Sequence, residues 1–181
     1  MLFGMGNLMA GPLYIFYQVD VYHISKDLLS NLAVTSSFFS LIFYFLWGRF
    51  TEKKKVSLLV VITYALMYLV SIIYLFSPGK KLMYLGAALL GIGNAGLDLL
   101  GLISVLQFAG ENNALRYMSI NMTALGIRGT ICPFIGSFLY RSFGLAPALV
   151  ISAAVMLGGI IVALNLHKES NAALSAKGMT T

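Results

Sequence analysis

The sequence predicts an all-α, polytopic membrane protein built as a bundle of six transmembrane helices. Of its 181 residues, 59% are hydrophobic and only 10% are charged, whereas a soluble domain carries about 25% charged residues. Apolar stretches recur along the chain, each near the roughly 20 residues that cross a bilayer as a helix. Because lipid cannot satisfy an open backbone, helices are expected at these lengths. The alternating pattern of a β-barrel is not seen.

Six apolar spans follow one another with short connections. Their predicted bounds are 2–22, 29–47, 56–76, 82–106, 117–140 and 145–166. Residues 1–167 therefore form the predicted bundle. The chain turns polar after residue 166, and we expect residues 168–181 to form a disordered cytoplasmic tail.

The positions of the basic residues predict the orientation of the bundle. If both termini are cytoplasmic, the inner side holds seven Lys and Arg residues and the outer side holds four. Basic loops tend to stay in the cytoplasm, so this count favours cytoplasmic termini in a cell membrane, plasma or inner. The inner set is Arg49, Lys53, Lys54, Lys55, Arg116, Lys168 and Lys177, and the outer set is Lys26, Lys80, Lys81 and Arg141.

The composition and motifs argue against several classes of function. The net charge is +6, but the basic residues sit in short loops, without the continuous basic face that nucleic-acid binding uses. A single cysteine, Cys132, allows neither an internal disulfide nor a multi-cysteine metal site. No phosphate-binding loop for ATP and no Gly-x-Ser-x-Gly nucleophile motif is present. We therefore expect no enzyme activity, no cofactor and no metal.

The fourth span, 82–106, contains one charged residue, Asp98. An acid inside a membrane helix is costly, so it normally faces protein or a wet cavity and has a partner. Small and polar residues share its helical face at the expected spacing. This face, formed by Ala87, Gly91, Asn94, Asp98 and Gly101, predicts the wall of a polar pathway.

The fifth span carries a base, Arg128, at a similar predicted depth. It lies 11 residues from Tyr117, about 16 Å at helical rise, and Asp98 lies 9 residues from Gln107, about 13 Å. We predict a direct or water-bridged ion pair between Asp98 and Arg128. Such a pair either borders an ion or solute path or only locks two helices together.

The first span carries a second polar face. Asn7, Gly11, Tyr14 and Gln18 step at helical spacing. Pro12 can break or bend this helix, and discontinuous helices often build midplane sites in transporters. The alternative is a face that packs against another helix.

The second predicted loop resembles a motif of the major facilitator superfamily. Gly48, Phe50, Glu52 and Lys53 are similar to the G-x-L-x-D-R part of a loop that acts in the conformational change. In that family this loop lies between helices 2 and 3 and again between helices 8 and 9. Lys55 stands where that pattern has a glycine.

The fifth span strengthens this resemblance. It reads Gly126-Ile-Arg-Gly129, followed by Pro133 and Gly136, which is similar to helix 11 of many members. Physically, Gly126, Gly129 and Gly136 permit close helix contact, and Pro133 can kink the helix.

Together, the two motifs and the six spans resemble the C-terminal half of such a transporter. The resemblance implies two inverted three-helix repeats, whose first and fourth helices line a central cavity. It also implies a gradient-driven carrier of a small solute, coupled to protons or ions, with Arg128 near the partner half. The implied partners are lipid, the solute, and another six-helix half or a second copy, because one half cannot alternate access alone. The alternative is a non-catalytic membrane subunit or a channel.

Overall fold

The computed structural model describes residues 2–21, 23–76 and 79–176. Within these ranges, it leaves out the side chains of 21, 76, 80, 108, 111, 112 and 169–176. Every element in the described residues is helical: α1 (Leu2–Phe16), a π-helix (Tyr17–Val21), α2 (Lys26–Lys53), α3 (Val56–Phe76), α4 (Lys80–Phe143) and α5 (Leu145–Ala176). The prediction of an all-α protein is therefore confirmed.

Five helices among the described residues are long and apolar enough to cross a membrane. The first predicted span is not among these five helices. Its helix α1 has 15 residues, and the π-helix that continues it has 5. The five candidate spans are Lys26–Lys53, Val56–Leu75, Lys81–Gln107, Asn113–Phe143 and Leu145–Lys168.

The sequence predicts a loop at residues 109–116, between the fourth and fifth spans, but the structure has a break at only one residue there. Gly110 has φ 64° and ψ 171° inside α4, a conformation that glycine adopts without steric cost. We call the two parts α4a (residues 80–109) and α4b (residues 111–143). Both parts line one cavity, so the chain turns back at Gly110.

Three other helix boundaries differ from the prediction. Gly48, Glu52 and Lys53 were expected in a loop but lie in the last turns of α2, because the helix ends only where the Lys54 N–H bonds to the Phe50 carbonyl. At the carboxyl end of the chain, α5 continues to Ala176, so the predicted tail begins as helix. Residues 177–181 lie outside the described residues.

Pro12 was expected to break or bend the first helix near its middle. The helix α1 runs from Leu2 to Phe16 with Pro12 inside it, so Pro12 does not break the helix, and a bend there stays a prediction. The departure from α-helical geometry comes later, at the π-helix that begins at Tyr17.

Close helix packing occurs where small residues meet a neighbouring backbone. A Cβ on Gly91 of α4a would collide with the Ser36 carbonyl of α2. A Cβ on Gly136 of α4b would likewise collide with the Met9 carbonyl of α1. Small residues allow such approach between membrane helices. As a result, α4a packs on α2 and α4b packs on α1.

The two ends of the bundle are built differently. We call the end with the α2–α3 connection the Lys54 end, and the end with the α4–α5 connection the Gly144 end. The largest buried cluster lies toward the Gly144 end and includes Leu13, Tyr74 and Leu149. The open space that concerns function lies toward the Lys54 end.

Candidate functional site

A cavity of about 500 Å³ lies between α1, α3, α4a and α4b. Its walls combine apolar side chains with polar groups from all four helices. The polar groups on its lining include Asn7, Thr63, Tyr64, Asn94, Asp98, Ser104, Asn121 and Arg128. A bundle that is otherwise apolar thus holds both charges predicted from the sequence in one space.

Asp98 is placed on the cavity wall by α4a, with an exposed side chain. The Tyr44 hydroxyl of α2 donates a hydrogen bond to Asp98 Oδ2 at 2.6 Å. A hydrogen bond to an ionised carboxylate is stronger than one between neutral groups. The tyrosine therefore fixes one oxygen of Asp98 and ties α2 to α4a.

Sequence reasoning missed Tyr44 as a partner. Since α2 continues to Lys53, Tyr44 lies about 14 Å inside the helix end. Its hydroxyl pairs with a carboxylate that is 54 residues away in the chain, a contact that no local pattern of the sequence shows.

Arg128 is placed by α4b, and its side chain is half-buried. The guanidinium lies against Gly4 of α1, where an added Cβ would stand 2.6 Å from Nη1. Gly4 and Gly129 line the same cavity. Gly4 therefore makes room for the arginine head, a role that the sequence alone did not suggest.

The sequence predicts that Asp98 and Arg128 form an ion pair. Both residues line the one cavity, and the hydrogen bond identified for Asp98 comes from Tyr44. A direct or bridged bond between Asp98 and Arg128 remains a prediction.

The polar face of α1 divides between two environments. Asn7 lines the cavity with Asp98. Tyr14 and Gln18 are instead buried in the core. The Tyr14 hydroxyl bonds to the Ser71 hydroxyl at 2.7 Å, and Gln18 Nε2 donates to the Tyr74 hydroxyl at 2.8 Å. These two residues have the contacts expected of a packing face.

The predicted face of α4a divides in the same way. Ala87 and Gly91 are buried, and Gly91 lies against α2. Asn94, Asp98 and Gly101 line the cavity. The helix thus uses its first part for packing and its second part for the polar wall.

A second cavity, of about 560 Å³, adjoins the first toward the Lys54 end. The two share the lining residues Phe3, Val60, Tyr64 and Ser104. Its polar lining includes Thr51, Lys54, Lys55, Ser57 and Gln107. Phe3 and Tyr64 stack with ring centroids 3.8 Å apart, and this pair lies where the two cavities meet.

The predicted loop motif lies beside this region. A Cβ on Gly48 would contact the Leu99 side chain at 4.0 Å, next to Asp98 in the chain. Glu52 and Lys53 have exposed side chains at the end of α2. In the part of the chain that the structure describes, no group of three or more His, Cys, Asp or Glu residues could hold a metal.

Comparison with known proteins identifies one family. A family model described as Major Facilitator Superfamily matches residues 1–179, nearly the full length of the chain. No curated protein matches the chain in a sequence search.

Proposed function

This chain belongs to the major facilitator superfamily, and we propose that it forms a six-helix part of a gradient-driven carrier whose solute passes the cavity of Asp98 and Arg128. Membership in the family makes it a multi-pass membrane transporter. The cavity, its charges and its open side support the finer statements that follow.

The observation that carries the proposal is the shared cavity of Asp98 and Arg128. A charge in a membrane bundle is costly, and charges that persist there usually line a path for ions or solutes. Asn7 and Asn94 add polar groups to the same lining. An ion pair that only holds two helices together needs no cavity around it. The open space of about 500 Å³ therefore favours a path for a solute.

We propose that a proton or ion gradient acts through Asp98. A proton on this carboxylate would remove its charge and weaken the bond from Tyr44, which connects α2 to α4a. Gly48 follows Tyr44 by one helical turn on α2 and lies beside Leu99. The α2 end, with Gly48, Glu52 and Lys53, is therefore in position to move when Asp98 changes charge.

The packing pattern supports two inverted repeats. The first helix lies against the fifth and sixth segments, through Gly136 and Gly159. The fourth segment lies against the second and third, through Gly91 and Gly93. The six segments are, in chain order, α1, α2, α3, α4a, α4b and α5. If the first three exchange places with the last three, the same contacts result, as expected for a three-helix unit that occurs twice.

A second six-helix unit would complete the cavity. Gly101, Gly126 and Gly129 have no described atom within 4 Å of the position that a Cβ would take. Asn94 and Asp98 are exposed on the same helix as Gly101. We propose that another six-helix half or a second copy covers this side. The mass of the assembly in native detergent distinguishes a pair of copies from a single bundle.

The function is tested by flux in liposomes that contain the full chain. A carrier gives saturable uptake that counter-substrate stimulates. An unsaturable conductance would instead show a channel, and no flux by the chain alone or with its partner half would show a non-catalytic subunit.

The coupling is tested with Asp98→Asn. We expect this variant to lose the pH or ion dependence of uptake, because its amide cannot change charge. Asp20→Asn is the matched control, since Asp20 accepts its bond from Tyr140 rather than lining the cavity. Full retention of the dependence in Asp98→Asn would contradict coupling through this residue.

The orientation remains a proposal, with both termini in the cytoplasm of a plasma or inner membrane. Single cysteines placed at Lys54 or at Gly144, in a Cys132→Ser background, should differ in their reaction with an impermeant reagent. We expect the Lys54 end to be protected in right-side-out vesicles.

A further inference from the structure

We infer that the solute is a small zwitterion, an α-amino acid or a short peptide, with its carboxylate on Arg128 and its ammonium group on Asp98. This inference rests on the proposed transport function and names the substrate class of the same cavity. It depends on the two charges, on the amides that line the same cavity and on the size of the space.

The two charges lie on different helices around one cavity. Asp98 belongs to α4a and Arg128 to α4b, and both line the same 500 Å³. A guanidinium binds a carboxylate in a two-pronged geometry, and a carboxylate accepts hydrogen bonds from an ammonium group. A simple anion would meet repulsion from Asp98, and a simple cation would meet repulsion from Arg128. A zwitterion satisfies both walls at once.

Contacts with neighbouring residues limit the freedom of both charged heads before a ligand arrives. Asp98 Oδ2 already accepts a bond from Tyr44, but a carboxylate offers about four acceptor positions. Arg128 is confined on one side by Gly4, and its Nε is buried. Groups whose freedom is already limited by such contacts lose less entropy when a ligand binds.

Three carboxamides complete the polar lining. Asn7, Asn94 and Asn121 come from α1, α4a and α4b, respectively. An amide side chain both donates and accepts, so it matches a peptide group as well as the two ends of an amino acid. Leu8 and Leu97 supply apolar wall for an aliphatic side chain. The volume falls within the roughly 300–1,000 Å³ of small-molecule sites.

The test measures binding of matched probes to the purified full chain by calorimetry. The zwitterions are L-leucine and L-alanyl-L-leucine. The probes without an ammonium group are 4-methylpentanoate and N-propanoyl-L-leucine, and those without a carboxylate are 3-methylbutylamine and L-alanyl-3-methylbutylamide. We expect at least one zwitterion to bind about tenfold or more tightly than both of its analogues, as for loss of a charged hydrogen bond.

Variants assign each end of the ligand. Asp98→Asn should bind the zwitterion and the analogue without the ammonium group about equally. Arg128→Gln should bind the zwitterion and the analogue without the carboxylate about equally. Asp20→Asn should keep the wild-type preference, because Asp20 bonds to Tyr140 away from this lining.

Two outcomes overturn the inference. One is that, in the wild-type chain, neither zwitterion binds, or each binds no more tightly than its analogues. The other is an unchanged preference in Asp98→Asn and Arg128→Gln. Saturable, counter-substrate-stimulated flux of another solute would leave the transport function intact while removing the zwitterion. Binding of a zwitterion without any flux would support the ligand class but contradict the transport function.

Discussion

The two halves of the bundle use the same kinds of residue for different purposes. Toward the Gly144 end, Gly91 and Gly136 bring helices into backbone contact. Gly101 and Gly129 lie on the same two parts of α4 but line open space instead. The comparison shows that a small residue in a membrane helix is a packing site only where another helix lies opposite it.

Polar residues of α1 show the same division. Tyr14 and Gln18 bond to α3 in the buried half, whereas Asn7 faces the cavity in the other half. One helical face therefore packs against α3 in one half and lines the cavity in the other.

Two tyrosine–carboxylate bonds extend the comparison. Tyr140 donates to Asp20 at 2.6 Å near the Gly144 end, and Tyr44 donates to Asp98 at 2.6 Å on the cavity wall. Phe16 also stacks on Tyr140, with ring centroids 4.7 Å apart. The first bond joins α4b to the end of the first helix, while the second lies on the wall of the cavity that is proposed as the solute path.

The largest expected effect is on packing at Gly136. We expect Gly136→Ala to destabilise the protein by about 1–3 kcal/mol, since its Cβ collides with the Met9 backbone and overpacking costs that much. Gly129→Ala is the matched control on α4b, with no described atom within 4 Å. The measurement is the free energy of unfolding in mixed micelles. Equal stability of the two variants would contradict the division of α4b.

Gly4→Ala should impair transport more than stability. Its Cβ displaces the guanidinium of Arg128, which is the movable end of a long side chain. We expect uptake at low solute concentration to fall about tenfold, comparable to losing a charged hydrogen bond. Gly11→Ala is the control on the same helix, where the described structure leaves the Cβ position open. Similar uptake in both variants would remove the proposed role of Gly4.

The two tyrosine–carboxylate bonds should differ in their effect on transport. Tyr44→Phe removes the bond to Asp98, and we expect about a fivefold fall in kcat/KM for uptake, near 1 kcal/mol of transition-state stabilisation. Tyr140→Phe removes the bond to Asp20 and should leave solute affinity unchanged. A larger effect of Tyr140→Phe on affinity would reverse the assignment of the pathway.

Tyr14→Phe is expected to have the smallest effect and to act on stability. It removes the bond to Ser71, but the Ser71 hydroxyl keeps its contact with Met156 Sδ at 3.5 Å. We therefore expect a loss of about 0.5–1 kcal/mol in unfolding free energy. Uptake by the variant should match wild type at a temperature where both are folded. A loss of solute affinity without a loss of stability would support the original prediction that Tyr14 lies on the solute pathway.

Sequence patterns were sufficient to predict the helices and the charges. Long apolar runs predict membrane helices because hydropathy is a property of each segment alone. An acid and a base inside such runs predict a polar space because lipid cannot solvate them. The helices over the predicted spans and the cavity that Asp98 and Arg128 line agree with these two arguments.

Boundaries and partners were not visible in the same way. The predicted loop at 109–116 failed because only the dihedral angles at Gly110 show that one glycine interrupts the helix. The end of α2 was missed because the helix continues through the more polar residues 48–53, beyond its apolar part. Tyr44 and Gly4 were missed because their partners are 54 and 124 residues away in the chain.

The sequence alone determined that this protein is a helical membrane protein with opposite charges inside it. Hydropathy and periodicity act within one segment, and they are the same wherever that segment packs. Only the tertiary structure decided which part of each polar face is open. That choice depends on what lies across from the face: the Ser36 and Met9 carbonyls fill the space beside Gly91 and Gly136, whereas a cavity lies beside Asn7, Asp98 and Arg128.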